Sequence, residues 1–565
     1  MDFKWSDLEP KPKNWLELNL RYEGVGSAEF VSPEGAIRGK GAATFDEYGN
    51  PTVEIECESF SIDPQYTGGP VGFLFGSKVE ETQGKKTMAF GGFDNPCKAL
   101  SIRTAEGEFR ANSTVRLVGW SFNMLAMGSD ALGGQGKKPL RFYVQQASYD
   151  VGNPNPPRYF AIPLFNCLAE GHDRLLRPHP LRIYETPEVP SSVPETEKFF
   201  ATMKANQKNL LVGFFIEGRL CFVERLADYD DRVTALKNGA VRRITAILVG
   251  ELGNHPASTL AEFWSWFPFE VFSALSFASG VEVGLPWIEI RDEAGGLIRR
   301  LHGRSSLPHF WGGEPVLGQF ARAGTQGAVG SLLTQYLSLS AAKRSYLEVA
   351  MDHARLGTLG APLRLYDILD HLIRALECLC REHGFIKQEL IPGLAGETQN
   401  KVKTVIAQAT NQIQQLQNEA IAAGLLEEHR LLSTIQGRAA NIGTTEKKFG
   451  LGVVSLLKSF GLPDADIVDR FLACNPRPDG LKDWASVLTS YRGATIHEGY
   501  MDFEKKHDVN DVARVCNHLK DLIARLILKE AGYDGNYDSP LLRNHGPQPA
   551  GWVLPDTSAD RLGFT

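Results

Sequence analysis

An arginine and a histidine separated by four residues, Arg492 and His497, have the side chains that metal-free RNA cleavage requires. A histidine can accept the proton of a 2′-hydroxyl group or donate a proton to the leaving 5′-oxygen. An arginine is permanently charged, and its planar guanidinium group can hold phosphate oxygens and stabilise charge in the transition state. The pair therefore predicts phosphodiester cleavage by internal transfer, with His497 as general acid and base and Arg492 as the phosphate ligand.

The spacing alone is a weak signal, because it recurs at residues 174–179 and 304–309. Each of those segments contains a proline and lies in a loop-like, β-rich part of the sequence. Only Arg492 and His497 lie between two predicted helices. The alternative for this pair is a surface arginine beside a histidine that caps a helix, without any catalytic role.

A basic stretch precedes the Arg492–His497 motif. Residues 429–460 carry five lysines and arginines against one glutamate, a local net charge of +4 with histidine neutral. Such a stretch could bind the phosphate backbone of RNA, and a solvated basic surface without a ligand is the alternative. The predicted RNA-binding residues are Arg430, Arg438, Lys447 and Lys448.

Asp367, Asp370 and His371 suggest a second chemistry, because carboxylate and imidazole groups on one predicted helix could hold a divalent metal ion. They would then serve a metal-dependent hydrolase. Acids and histidines are also common on the solvated face of an amphipathic helix, and we expect that simpler role.

The sequence contains no P-loop, no dinucleotide-binding fingerprint and no nucleophile elbow. We therefore expect neither a metal ion nor a cofactor.

The chain has 565 residues and a formal net charge of −7. Its length is typical of three or four domains, and its acidity excludes a histone-like protein that binds nucleic acid over its whole surface. The N-terminus lacks the basic and apolar regions of a signal peptide, and no apolar run approaches about 18 residues. The eight cysteines show neither zinc spacing nor a Cys-x-x-Cys pair. These features predict a cytoplasmic protein with reduced thiols and no membrane-spanning segment.

Proline content divides the sequence near residue 340. Of the 31 prolines, 22 lie in residues 1–339 and five in residues 340–535. Since proline breaks helix interiors, the first part is predicted to form strands and loops and the second part helices. The sequence therefore predicts a multidomain α+β protein. Its predicted parts are an N-terminal β-rich domain of sandwich or barrel-like type at 1–185, a mixed α+β middle domain at 198–335, a C-terminal all-α domain at 336–535 and a tail at 536–565.

Local patterns predict the individual elements. Period-two alternation between turn residues predicts strands at 16–22, 53–57, 114–122, 141–148 and 158–164. Two hairpins are predicted, one around Glu217-Gly218 and one around residues 292–296. A capping box that begins at Thr259 predicts a helix to about Ser279. Apolar residues at helical spacing predict four helices. The first has its apolar face at 365–379 and ends at Gly384, and the others lie at 402–416, 481–490 and 509–526.

Three segments of the C-terminal region together resemble a HEPN domain, in particular the ApeA-like branch found in bacterial anti-phage ribonucleases. The first is the helix at 363–383 with its Arg374-Ala-Leu-Glu377 segment. The second is residues 490–499, which are similar to the family's Arg-x4–6-His motif. The third is the closing helix at 519–528 that continues into residues 531–537. The resemblance covers about a third of the chain.

The resemblance implies a metal-independent endoribonuclease that forms a homodimer through its helical domain and joins two Arg/His motifs in one composite cleft. Arg492 and His497 match the family's catalytic pair. Glu377 lies where some members have an acid on the first helix, and Tyr491 is a further supporting residue. Gly493 stands where the family usually has Asn or Asp.

The resemblance also implies partners and a biological setting. The partners are RNA, with tRNA favoured, and a phage-derived trigger that activates the nuclease in abortive infection. The β-rich front half would sense this trigger or restrain the nuclease. A non-catalytic binding or scaffold protein with the same helical bundle is the alternative.

Overall fold

A computed structural model gives the structure of part of the chain. The described residues are 21–32, 35–45, 51–62, 77–82, 85–90, 99–105, 107–112, 115–118, 140–151, 155–168, 211–226, 229–240, 242–293, 295–303, 310, 313, 315–317, 328–358, 364–386, 388–390, 396–423, 425–440, 444–446, 449–461, 484–498, 509–540 and 548–549.

Twenty strands are present in the described residues. They are β1 Arg21–Ser32, β2 Gly35–Phe45, β3 Pro51–Ile62, β4 Ser77–Thr82, β5 Lys85–Phe90, β6 Ala99–Arg103, β7 Gly107–Ala111, β8 Val115–Val118, β9 Leu140–Val144, β10 Gln146–Val151, β11 Tyr159–Phe165, β12 Leu211–Ile216, β13 Arg219–Arg225, β14 Ile244–Glu251, β15 Trp287–Arg291, β16 Leu297–Gly303, β17 Gln388–Leu390, β18 Thr444–Glu446, β19 Asn536–Tyr537 and β20 Gln548–Pro549.

Fourteen of these strands form one antiparallel sheet, in the order β12-β13-β14-β11-β15-β16-β10-β7-β6-β1-β2-β3-β9-β8. The sheet crosses the predicted boundary between the N-terminal and middle segments, because β10 pairs with β16 and β11 pairs with both β14 and β15. For example, Gln146 lies opposite Gly303 and Tyr159 lies opposite Glu251. Backbone hydrogen bonds therefore connect the two segments directly, and the domain limits themselves stay predictions.

The described residues contain two large hydrophobic cores. The first lies on the N-terminal strands and includes Phe30, Ile55 and Phe142, all at most 1% exposed. The second extends from Phe160 on β11 to Tyr537 and joins the middle strands to the C-terminal helices. The chain therefore passes from the first hydrophobic core to the second between β10 and β11, while the hydrogen-bonded sheet continues across this point.

Several predicted strands and both predicted hairpins are confirmed. The first hairpin pairs β12 with β13 around Glu217 and Gly218, whose φ angles of 49° and 76° match a two-residue type I′ turn. The second hairpin pairs β15 with β16. The prediction of one strand at 141–148 is wrong, because β9 ends at Val144 and β10 begins at Gln146 with a different set of partners.

Eleven α-helices are present in the described residues. They are α1 Tyr229–Lys237, α2 Leu260–Trp264, α3 Glu270–Ser279, α4 Ala328–Leu337, α5 Ala341–Thr358, α6 Leu365–Glu382, α7 Gly396–Ala422, α8 Leu426–Ala440, α9 Phe449–Ser459, α10 Trp484–Arg492 and α11 Val509–Glu530. The capping box at Thr259 and Glu262 is confirmed at the start of α2. The predicted continuous helix to Ser279 is wrong, because the chain is interrupted between α2 and α3 at Pro268, which cannot donate a backbone hydrogen bond.

Helix α6 is the central helix of the C-terminal half. Its predicted apolar face is buried, with Leu369, Leu372, Leu376 and Leu379 at most 1% exposed. The helix is followed by Gly384 with a φ of 69°, the left-handed conformation expected just beyond a helix end. Helices α5, α9 and α11 pack against α6. The apolar spacing of the sequence thus identified the helix around which the others assemble.

The large antiparallel sheet and the following helices confirm an α+β protein and are consistent with several domains. The predicted all-α character of residues 336–535 is wrong, because β17 pairs with β18 within that range. No helix in the described parts of the chain combines the length and hydrophobicity needed to cross a membrane. The cysteines whose side chains are described, at positions 167, 221, 378, 380 and 516, are free thiols.

Candidate active site

Arg492 forms an ion pair with Glu377, which joins the end of α10 to the middle of α6. The Nη2 atom of Arg492 donates a hydrogen bond of 2.8 Å to Oε1 of Glu377. Both side chains are largely enclosed, at 12% and 11% exposed. Arg381, one helical turn after Glu377, donates a second hydrogen bond of 2.8 Å to the same oxygen. The structure thus brings together two residues that the sequence assigned to the site, together with a third that it did not.

The charge balance of these three groups favours an anionic ligand. Two permanently charged guanidinium groups face one carboxylate, which leaves a net charge of +1. Arg381 is 62% exposed, so one of the two cations remains open to solvent. Burial alone would raise the pKa of Glu377, but the hydrogen bonds and charges of Arg492 and Arg381 outweigh it and hold this pKa below its ordinary value. Glu377 is therefore ionised at neutral pH and acts as an acceptor.

The backbone changes from α-helix to π-helix immediately after Arg492. The π-helix spans Gly493–Glu498 and includes the backbone of His497. In an α-helix, a residue five positions after another is rotated from it by about 140° around the helix axis. In a π-helix, the hydrogen bonds join residues five apart. A residue five positions after another is therefore about one turn along the helix and near the same side of it. The backbone therefore returns position 497 to the side of position 492, while the side chain of His497 lies outside the described part of the structure.

Packing around Arg492 fixes this transition. Tyr491 is fully buried in the hydrophobic core, which anchors the residue beside the arginine. The hydroxyl of Thr495 donates a hydrogen bond of 2.9 Å to the carbonyl of Tyr491. The guanidinium carbon of Arg492 lies 5.7 Å from the ring centroid of Phe449, within range of a cation–π interaction. Helices α6, α9 and α10 therefore all contribute to the position of one side chain.

Gly493 occupies an open position next to the motif. A Cβ atom added there would meet no heavy atom of the described residues within 4 Å. The position at which the resembling family usually carries Asn or Asp thus has room for such a side chain.

The predicted RNA-binding residues are only partly described. Arg430 is exposed on α8, which packs against α7, and the backbone of Arg438 lies near the end of α8. The side chain of Arg438 and residues Lys447 and Lys448 lie outside the described part. Their role in RNA binding therefore stays a prediction.

The residues of the metal hypothesis make other interactions. Asp367 accepts a hydrogen bond of 3.2 Å from the backbone of Arg364 at the start of α6. Asp370 accepts one of 2.7 Å from Arg374. The Nδ1 atom of His371 lies 3.1 Å from Nδ1 of His353 on α5. In the described residues no three side chains of His, Cys, Asp or Glu are grouped in a way that could hold a metal ion.

Arg381 and Phe449 are the residues that the sequence analysis missed. Arg381 could have been recognised from its spacing, because an acid and a base four residues apart on a helix commonly pair. Phe449 gives no such local signal, since its proximity to Arg492 arises from the packing of α9 against α10. Comparisons with protein-family models, curated proteins and solved structures found no match to this chain.

Proposed function

We propose that this protein is a metal-independent endoribonuclease of the HEPN type, with an ApeA-like arrangement of its C-terminal helices. The observation that supports it most is the ion pair between Arg492 and Glu377 at the start of the π-helix that carries His497. It fixes the guanidinium group of Arg492 at the start of the π-turn that contains the backbone of His497. The resemblance of the sequence to HEPN proteins supplies the reaction class.

In the proposed reaction, His497 exchanges protons and Arg492 stabilises the phosphorane-like transition state. Glu377 is a positioning residue, because it fixes the guanidinium group of Arg492 through a hydrogen bond of 2.8 Å. The exposed guanidinium of Arg381 is a candidate ligand for a neighbouring phosphate. The net positive charge of this cluster favours binding of the RNA backbone, although the whole chain is acidic.

A homodimer fits this chemistry. Cleavage by internal transfer needs one group that removes the proton of the 2′-hydroxyl group and another that protonates the leaving 5′-oxygen. The motif contains a single histidine per chain. A two-fold dimer would place two motifs in one cleft. We further propose tRNA as the substrate, the cytoplasm as the location and activation by a phage-derived trigger in abortive infection, all of which rest on the resemblance.

A scaffold function is the second candidate, and one observation favours it. Helices α7 and α8 pack against each other and carry large apolar side chains that are exposed, such as Leu426 at 76% and Leu431 at 61%. Exposed aliphatic clusters mark interaction surfaces in many proteins. A protein that only holds partners would use this surface and would not need the Arg492–His497 motif.

Incubation of the purified full chain with total tRNA in EDTA distinguishes the candidates. Cleavage should persist in EDTA, disappear in His497→Ala and remain in His255→Ala, a histidine substitution between β14 and α2. Unchanged cleavage in His497→Ala would overturn the proposal, and loss of cleavage in Asp370→Ala combined with sensitivity to EDTA would favour the metal-dependent alternative.

A nuclease that needs a trigger could be silent in that assay. Expression of the wild-type chain in bacteria, with and without phage infection, provides the second readout. Growth arrest that His497→Ala relieves supports the nuclease. Absence of both cleavage and growth arrest under all these conditions favours the scaffold.

A further inference from the structure

A cavity of about 420 Å³ lies between the large sheet and helices α2, α3 and α5. Aromatic side chains form much of its wall, including Trp264 on α2 and Phe272 on α3. Phe272 is buried, whereas Phe269, which also lines the cavity, is 53% exposed. Sites for small molecules have volumes of about 300–1,000 Å³ and mostly apolar walls with a few polar groups. The cavity therefore has the size and lining of a ligand site, and it is separate from the Arg492 site.

Two of the three charged groups of the cavity come from one face of α5. Asp352 and Arg355 are three residues apart, a spacing that places side chains on the same side of a helix. Arg355 is only 8% exposed, and its Nε atom has no hydrogen-bond partner among the residues that the structure describes. The Nε atom is closed off from solvent, so a ligand in the cavity would meet the other atoms of the Arg355 side chain.

The charges in the cavity select against phosphate. The Nη1 atom of Arg355 lies 3.5 Å from Oε2 of Glu282, a third polar lining residue. Asp352 adds a second carboxyl group, so two acids face one arginine. Burial raises the pKa of Asp352, and Glu282 adds to this effect, although the charge of Arg355 opposes it. A phosphate group would meet more negative than positive charge, and a neutral ligand would not.

We propose that this cavity binds a nucleobase or nucleoside, which donates a hydrogen bond to Asp352 and accepts one from a terminal nitrogen of Arg355. Nucleobases carry donors and acceptors side by side on one edge, which matches the paired groups on α5. Their flat faces pack on aromatic side chains such as Trp264 and Phe272. The inference does not depend on whether the protein cleaves RNA.

Binding is tested with the full chain and four nucleosides: adenosine, guanosine, cytidine and uridine. Isothermal titration at up to 5 mM ligand should detect binding of at least one, and the same nucleoside should raise the thermal unfolding midpoint because it binds the native state. It should also change the tryptophan fluorescence, since Trp264 lines the cavity. Ribose should not bind, and adenosine monophosphate should bind more weakly than adenosine. Absence of binding by all four nucleosides, or tighter binding of the monophosphate, would overturn the inference.

Two substitutions locate the binding site. Asp352→Asn and Arg355→Met should each weaken nucleoside binding at least tenfold. Glu397→Gln is the control, because it makes an acid-to-amide change at an exposed position on α7 that does not line the cavity. Circular dichroism verifies folding of each variant, and a fall in affinity counts only for folded protein. Equal affinity of wild type and a folded Asp352→Asn or Arg355→Met variant would contradict this location, and the wild-type titration remains decisive if a variant does not fold.

Discussion

The Nη2 atom of Arg492 lies 2.8 Å from Oε1 of Glu377, although 115 residues separate them in the sequence. The contact is nearly closed to solvent, and the same carboxylate oxygen also accepts a hydrogen bond from Arg381. An ion pair in such surroundings is screened little by water, and removal of one partner leaves a charge with less compensation. This contact therefore links the stability of the helical region to the geometry of the proposed site.

Replacement of Glu377 by alanine is expected to lower the free energy of unfolding by about 2 kcal/mol, because Arg492 loses its enclosed partner. Urea denaturation followed by circular dichroism measures the change. Glu397→Ala is the control, since Glu397 pairs with Lys401 at an exposed position on α7 and its loss should have little effect. Equal destabilisation by the two substitutions would show that the Glu377 contact stabilises the fold no more than an exposed ion pair does.

The same carboxylate predicts a dependence of stability on acidity. The pKa of Glu377 is lowered in the folded state from its ordinary value of 4.5, so the unfolded chain binds more protons as the pH falls through that region. The stabilisation is therefore complete above about pH 4.5 and is lost progressively below it. The wild type should lose more stability than Glu377→Gln between pH 5 and pH 3.5 in urea titrations. Parallel losses in the two proteins would contradict this prediction.

A conservative change at Arg492 separates charge from geometry. Arg492→Lys keeps the positive charge but loses the planar fork of donors, and we expect at least a hundredfold decrease in the rate of RNA cleavage. Arg374→Lys, at an exposed arginine that pairs with Asp370 on α6, should keep the wild-type rate within a few-fold. Initial rates on a labelled tRNA measure both. A near-normal rate for Arg492→Lys would mean that the shape of the guanidinium group is not needed.

Gly493 is expected to tolerate a larger side chain. Because a Cβ atom at this position meets no described atom within 4 Å, Gly493→Asn should change the free energy of unfolding by less than about 1 kcal/mol. Gly357→Asn provides the contrast, since a Cβ atom there would lie 2.6 Å from Cδ2 of Leu372, between α5 and α6. Thermal unfolding compares the two variants. Strong destabilisation by Gly493→Asn would show that the π-helix requires glycine.

The contact between His353 and His371 predicts a second dependence on pH. With the two Nδ1 atoms 3.1 Å apart, one ring must donate and the other accept, so both rings cannot be fully protonated. Burial lowers the pKa of each histidine below 6.5, and the positive charge of Arg374 adds to the effect. The unfolded chain therefore binds more protons below about pH 6.5, and stability falls as the pH decreases. His353→Gln should flatten this decrease between pH 7.5 and pH 5.5, and an unchanged slope would argue against the pair as its cause.

Short-range physical chemistry in the sequence determined much of the local structure. The Glu217-Gly218 turn, the Thr259 capping box and the apolar face of α6 were all predictable, because turn conformation, helix capping and helical spacing depend on residues close in the chain. The motif of Arg492 and His497 was equally visible, since it is defined by residue type and spacing. Even the break at Pro268 was present in the sequence, although the capping signal before it was given more weight.

Only the tertiary structure decided which distant residues meet. Helix packing decides the pairing of Arg492 with Glu377, the contact with Phe449 and the cavity lined by Asp352 and Arg355. Local sequence does not determine this packing, because each packed face accepts many partners of similar size and polarity. The joining of fourteen strands into one sheet is likewise a long-range choice, because alternating strands predict a buried face but not their neighbours. The sequence therefore identified the candidate catalytic residues, and the fold supplied the carboxylate that holds one of them in place.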